Sequence, residues 1–401
     1  MNKTFKITSL KHNSENSPSY DFLTADHAQK VLDFHRTFPM YAQTPLAHLS
    51  ETAKILGLGD IYVKDESKRF GLNAFKVLGG SYAIGSWLAE KAKLDPGSLS
   101  FALLTSAEFR EKMGDITFIT ATDGNHGRGV AWTAAQLGMK SVVYMPKGTA
   151  KERLDNILAL GSDAKITDVN YDDTVRMASA DAEKNGWVLI QDTAAENYEK
   201  IPKLIIQGYC TMALEVYHQL PKKPTHIFLQ AGVGSMAGMA AGLFASLYGN
   251  DRPTVIIVEP DKADCIFRTA EANDGQLHAV TGDLDTIMAG LACGEPCSIA
   301  WEILRDCADH FISCPDYTAA KGMRILGNPA GSDDRVISGE SGASTFGCAA
   351  EIMTNPALAG IRAELGLDSS SRVLFFSTEG ATDTQNYRSV VWDGKYPSFE
   401  N

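Results

Sequence analysis

What this sequence lacks narrows its function before any motif is read. No uninterrupted apolar stretch reaches the ~18 residues of a membrane helix, and the polar opening MNKTFKITSLKHNSENSPSYDF has no apolar signal-peptide core. A cytoplasmic location without a membrane partner is therefore expected. Charge of one sign is not gathered into blocks: the net charge of −12 is spread along 401 residues, which argues against an electrostatic grip on nucleic acid. The seven cysteines (Cys210, Cys265, Cys293, Cys297, Cys307, Cys314 and Cys348) are odd in number and scattered, which suits reduced thiols better than a disulfide framework. Cys293 and Cys297 have no accompanying Cys/His pair, so no metal is expected. Repeats and low-complexity tracts are absent as well.

What is present is an alternation. With 44% hydrophobic residues, the chain is long enough for two lobes, each with its own core. Short β-rich runs (IYVKD, ITFITAT, KSVVYMP, WVLIQD, HIFLQAG, TVIIVEP and RVLFFST) are separated by helix-like stretches such as GRGVAWTAAQLG, AKERLDNILALG, YDDTVRMASADAEKNG and SMAGMAAGLFASLYG. This pattern predicts an α/β fold of parallel, twisted sheets flanked by helices. Three distinctive loops, TDGNHG, AGVGSMAG and STEGATD, directly follow strand-like runs. Open α/β sheets gather ligands at such strand ends.

The chemistry begins at NAFKVLGGSYA, where Lys76 lies among Phe75, Val77 and Leu78. Partial desolvation lowers an amine's pKa and makes it a nucleophile toward an aldehyde; most helix lysines merely reach out to water, so Lys76 needs company. TDGNHGRG supplies it. Backbone N–H groups at a helix start suit a substrate carboxylate, which singles out Thr122, Asp123, Gly124 and His126. Asn125 can donate to a phenolate oxygen, and Asp123 can act as a base or partner an ammonium group, although an ordinary helix-capping turn uses the same residue types. In AGVGSMAG, Gly232 and Gly234 leave room for a phosphate beside a helix N-terminus. Ala237 interrupts the full G-x-G-x-x-G of a dinucleotide loop, the competing reading of this turn.

In this order, the segments resemble the tryptophan-synthase-β-like family of pyridoxal-phosphate (PLP) enzymes, fold type II. AFKVLGG stands where that family has an "S-F-K-x-R-G" lysine, TDGNH where it has "S-x-G-N-H", and GVGSM at its phosphate loop. STEGA falls at a late "S-G-G-N"-like turn and GESGA at "E-P-x-G-A". The resemblance implies PLP held covalently by Lys76, with Asn125 on its 3′-oxygen. It further implies Gly232, Val233, Gly234, Ser235 and Met236 around the phosphate, and either Ser377 or Thr378 on the pyridine nitrogen. Glu340 falls at a family position near the cofactor or a cation, or is an exposed loop residue. The expected organisation is a large PLP-binding domain (1–84 and 200–401) and a smaller mobile domain (85–199). A homodimer is the expected assembly, dimers being commonest among soluble enzymes.

Departures from the family pattern narrow the substrate. Asp123 occupies a slot that dehydratases fill with a small residue and serine racemase with a serine facing Cα opposite the lysine; a carboxylate there implies a small amino acid with a second amino group. Together AFKVLGG, ATDGNHGRG, QDT and STEGATD resemble the members of the family that act on 2,3-diaminopropionate, which implies its α,β-elimination, D and L, to pyruvate and ammonia. Lys76, Asp123 and Asp192 are the catalytic candidates, and either aspartate would protonate the leaving amine. Asp192 ends WVLIQD, where ligands gather, unless it is a capping or loop residue. The alternatives are a serine/threonine dehydratase or racemase on the same scaffold and, from another class, a non-catalytic nucleotide-binding α/β protein. Cys265 and Cys293 flank a polar stretch that could bring them together; two separate thiols is the favoured reading.

Overall fold

The computed structural model describes residues 5–12, 20–95, 98–122, 124–194 and 197–398. Two sheets organise them. In chain order the strands are β1 (Lys6–Ser9), β2 (Leu46–His48), β3 (Asp60–Asp65), β4 (Thr117–Ala121), β5 (Lys140–Met145), β6 (Asp163–Ile166), β7 (Val188–Leu189), β8 (His226–Gln230), β9 (Thr254–Pro260), β10 (His310–Cys314) and β11 (Arg372–Ser377). The larger sheet runs β1-β10-β9-β8-β11-β3-β2 and the smaller β6-β5-β4-β7.

The interior of both sheets is parallel, as the alternation predicts, but the large sheet is mixed. Its edge strands β1 and β2 pair antiparallel with β10 and β3. Both are short, which limits what an exposed edge can template. Neither KITS nor LAH is long enough to show a period. WVLIQD is only partly a strand: Val188 and Leu189 pair with β4, and the chain leaves the sheet before Asp192.

Three strands that end beside one another, β8, β11 and β3, carry the glycine loop, STEGA and the approach to Lys76. The helices around Lys76 pack on one another with their backbones almost touching. A Cβ on Gly208 would lie 2.5 Å from the carbonyl oxygen of Leu78, and one on Gly129 only 2.8 Å from Cα of Val77. Helices Lys200–Gln219 and Asn125–Leu137 therefore close on the first turn of helix Val77–Lys91. Among the described residues no helix is long and apolar enough to cross a membrane.

A buried charge cluster pins the segment that leads to Lys76. Glu215 accepts from Lys64 Nζ at 2.7 Å, from Arg69 Nη1 and Nη2 at 2.9 Å each and from the Tyr41 hydroxyl at 2.9 Å. Arg69 also donates to both oxygens of Glu66. Lys64, Glu66, Arg69 and Glu215 are all fully buried, so two cations balance two anions in low dielectric. Removing one partner leaves a buried charge uncompensated, which costs roughly 3–5 kcal/mol. Glu215→Ala should lose about that much unfolding free energy in urea; a loss below about 1 kcal/mol, the scale of an exposed pair, would show that the cluster does not anchor this segment.

Candidate active site

Lys76 sits at the start of helix Val77–Lys91, and the segment before it is zipped to STEGA by backbone hydrogen bonds. Phe75 N–H donates to the Thr378 carbonyl at 3.1 Å, Gly380 N–H donates to the Asn73 carbonyl at 3.0 Å, and Ala74 bridges Glu379 antiparallel. This contact fixes the lysine beside the end of β11. Its Nζ donates to Asp192 Oδ2 at 3.0 Å, an ion pair in which the aspartate side chain is 3% exposed. Asp192 in turn accepts from the Tyr171 hydroxyl, and its backbone carbonyl accepts from Ser235 Oγ at 2.8 Å. Burial alone would raise the Asp192 carboxyl; the ammonium of Lys76, with help from His126 and Tyr171, outweighs it and holds the group at about 2.

One cavity is lined by Lys76, Asn125, Asp192, the whole stretch Gly232–Met236 and Thr378. Ser377 is not in its lining: buried, it donates from Oγ to Ser338 Oγ at 2.8 Å. Thr122 caps the start of helix Asn125–Leu137, its Oγ1 accepting from Gly124 N–H at 2.9 Å and Gly127 N–H at 3.0 Å. The φ of +145° at Gly124 makes the turn that this cap requires. The His126 ring contacts the carbonyl of Ile190 at 2.8 Å. Asp123 lies outside the described residues. The structure thus brings Lys76, Asn125, Asp192, the glycine loop and Thr378 to one cavity, and places Thr122 and His126 in the frame of the adjoining turn.

Several lining residues went unnoticed in the sequence: Tyr209, Gln230, Ser341 and Glu379. Gln230 had a readable signal, a polar residue ending the apolar run HIFL. Glu379 lay within STEGA; its Oε2 accepts from Asn125 Nδ2 at 2.5 Å and its Oε1 from Ser341 N–H at 3.1 Å. Tyr209 reaches the cavity from helix Lys200–Gln219, which no local pattern connects to Lys76. All seven cysteines are thiols, and Cys265 and Cys293 both stand against Gly232 without a disulfide between them. Among the described residues no group of three or more His, Cys, Asp or Glu is placed to hold a metal.

These residues fit PLP. An amine able to bind an aldehyde reaches into the cavity. The glycine loop lies so close to its neighbours that a Cβ on Gly232 would come within 3.2 Å of Cys293 Sγ. The loop also runs into helix Ser235–Tyr248, whose first N–H groups have no carbonyl a turn earlier and suit a phosphate.

Residues 37–375 match the family of pyridoxal-phosphate dependent enzymes. The chain is 53% identical to diaminopropionate ammonia-lyase of Salmonella typhimurium, over 93% of this chain and 94% of that protein. It superposes on the crystal structure of the Escherichia coli diaminopropionate ammonia-lyase in complex with D-serine with a TM-score of 0.91, at 48% identity and 98% coverage of both chains. For the same enzyme with an aminoacrylate–PLP azomethine reaction intermediate the TM-score is 0.90, at 49% identity and 98% coverage of both. The fold is therefore that of fold type II PLP enzymes.

Beyond the cavity, Glu340 is buried, at 2% exposure, rather than on an open loop. Its Oε1 accepts from Asn386 Nδ2 at 2.5 Å. Burial, and then the facing carboxylate of Glu379, push its carboxyl up to about 7, with Arg153 opposing them. A group whose pKa is higher folded than unfolded keeps a proton that the unfolded chain has already released. Its contribution to stability is then full below about 4.5 and declines as pH rises toward about 7. Glu340→Gln, which cannot ionise, should flatten that decline in urea-unfolding free energies measured across this window; parallel curves for both proteins would mean the proton is held elsewhere.

Proposed function

Because the chain belongs to the pyridoxal-phosphate dependent enzyme family, we propose that the cavity at Lys76 is the active site at which it eliminates ammonia from 2,3-diaminopropionate, both D and L. The enzyme is a PLP-dependent carbon–nitrogen lyase. The balanced reaction takes up one water and releases pyruvate and two ammonia molecules. The observation that carries the assignment to this cavity is the convergence of Lys76, Asp192, the glycine loop and Thr378 on it. A dehydratase, a racemase or a nucleotide-binding module is not favoured.

Bound PLP supplies the electron sink that makes a Cα proton removable. Lys76 would anchor it through Nζ and, when free of it, would be the base on one face of the substrate. Asp192, which pairs with the Lys76 ammonium here, is placed to meet the substrate's β-amine, and it or Asp123 would supply the proton with which that amine leaves. Backbone N–H groups of Asn125 and His126, in the turn braced by Thr122, would hold the substrate carboxylate. Asn125, oriented by Glu379, donates to the 3′-oxygen, and the N–H groups of Gly232–Met236 hold the phosphate. Thr378, the one of the two hydroxyls that lines the cavity, meets the pyridine nitrogen. Asp123 would be the base for the D isomer, a role that rests on the sequence slot it shares with the serine of serine racemase. The assembly is read as a cytoplasmic homodimer, which sedimentation equilibrium checks.

Lys76→Ala should drop turnover to background and abolish the borohydride-reducible bond to the protein, even if added PLP still binds; persistence of that bond would place the anchor on another lysine. Asp123→Asn should cost D-isomer turnover roughly 10²- to 10⁴-fold, the range of a positioned base, and L-isomer turnover far less. Equal losses would instead make Asp123 a binder of the β-amine, and full activity on both isomers would reduce it to a turn residue.

A further inference from the structure

We propose that Gln230 is a positioning residue that sets the direction of the hydrogen bond made by the Thr378 hydroxyl into the cofactor cavity. Gln230 ends β8 and is 2% exposed. Its Nε2 stands 2.9 Å from the backbone carbonyl of Phe376 and 2.9 Å from Thr378 Oγ1. A carbonyl only accepts, so the amide atom facing it is the nitrogen. One amide hydrogen goes to Phe376 and the other to Thr378. The amide is held this way although its Oε1, buried, has no hydrogen-bond partner among the described residues. A buried acceptor left unmade is costly, yet turning the amide over would set its oxygen against the Phe376 carbonyl.

The consequence falls on Thr378. Its Oγ1 accepts from Gln230, so its own proton points elsewhere, and the residue lines the cavity. Ser377 is oriented differently: its hydroxyl is engaged with Ser338 Oγ and the Glu379 carbonyl. On the reading that Thr378 meets the pyridine nitrogen, on which this inference rests, the hydroxyl is a donor there and the nitrogen an acceptor. That nitrogen therefore carries no proton of its own. An unprotonated ring drains negative charge from Cα less strongly than a protonated one, which favours departure of the β-amine over return of a proton to Cα. Gln230 thereby biases the site toward elimination without touching substrate.

The test uses holoenzyme carrying ¹⁵N at the pyridine nitrogen, followed by NMR across pH, together with solvent deuterium in recovered substrate. In the wild type the nitrogen should stay unprotonated throughout. In Gln230→Met the hydroxyl is free to turn to the vacated Phe376 carbonyl and accept from the ring. The nitrogen should then titrate with a midpoint raised by about one unit or more, and recovered substrate should carry more deuterium per pyruvate formed. Gln230→Glu, nearly the same shape, serves if the methionine variant does not fold; its carboxylate should draw the Thr378 proton and give the same gain. A nitrogen signal unchanged in whichever variant folds, or one already protonated in the wild type, overturns the proposal. Thr378→Val without effect on the signal, with Ser377→Ala altering it, would overturn the assignment of Thr378 itself while leaving the lyase activity in place.

Discussion

The ion pair between Lys76 and Asp192 is the constraint around which the rest of the molecule is arranged. It joins residues 116 positions apart at 3.0 Å, one at the start of a helix behind the large sheet and the other just beyond β7 of the small sheet. A buried carboxylate such as Asp192 persists as a charge only when a cation neutralises it, so what sets its separation from the half-buried Lys76 matters. The zipper between Asn73–Phe75 and Thr378–Gly380 holds one side, and the hydrogen bonds of Asp192 with Tyr171 and Ser235 hold the other. Charge on Asp192 follows from the same contact, since the Lys76 ammonium offsets the penalty of burial.

The molecule handles buried charge in two ways, and the contrast separates structure from chemistry. In the cluster of Lys64, Glu66, Arg69 and Glu215, cations and anions balance with direct contacts of 2.7–2.9 Å, and the cluster lies outside the cavity lining. Around the cavity the balance tilts negative. Glu379 takes its hydrogen bonds from Asn125, a backbone N–H and Thr382, with no ion pair among the described residues. Glu340 faces it and is pushed toward neutrality. A site short of cations is suited to a substrate that brings two ammonium groups.

Sheet order explains how so few elements carry so much of the site. The strands β8, β11 and β3 are neighbours, so the glycine loop, STEGA and the run to Lys76 emerge side by side. In the small sheet β4 and β7 are neighbours, which brings the Thr122–Asn125 turn beside Asp192. Ligands of parallel sheets collect at such carboxyl ends, and here two sheets offer theirs to one cavity. Adjacency of β8 and β11 is also what allows the side chain of Gln230 to reach Thr378, 148 positions away.

The α/β class and the parallel interior were legible in the sequence because each rests on a local signal, and the cofactor was legible through the family resemblance of several motifs taken together. A short β-rich run bounded by turn residues and a glycine turn before a helix each fit within about ten positions and depend on residue type alone. What lay beyond such a window was decided by tertiary structure. Adjacent residues at a strand end point opposite ways, so STEGA could not say which hydroxyl enters the cavity; the pairing of β11 between β8 and β3 turns Thr378 in and Ser377 toward Ser338. KITS and LAH were too short to announce antiparallel edges. The burial of Glu340 against Glu379 and the reach of Tyr209 to the cavity depend on helices packed from distant parts of the chain. Residue chemistry is carried by each position alone, whereas the partner that directs it is chosen by strand order and helix packing, which act between positions more than a hundred residues apart.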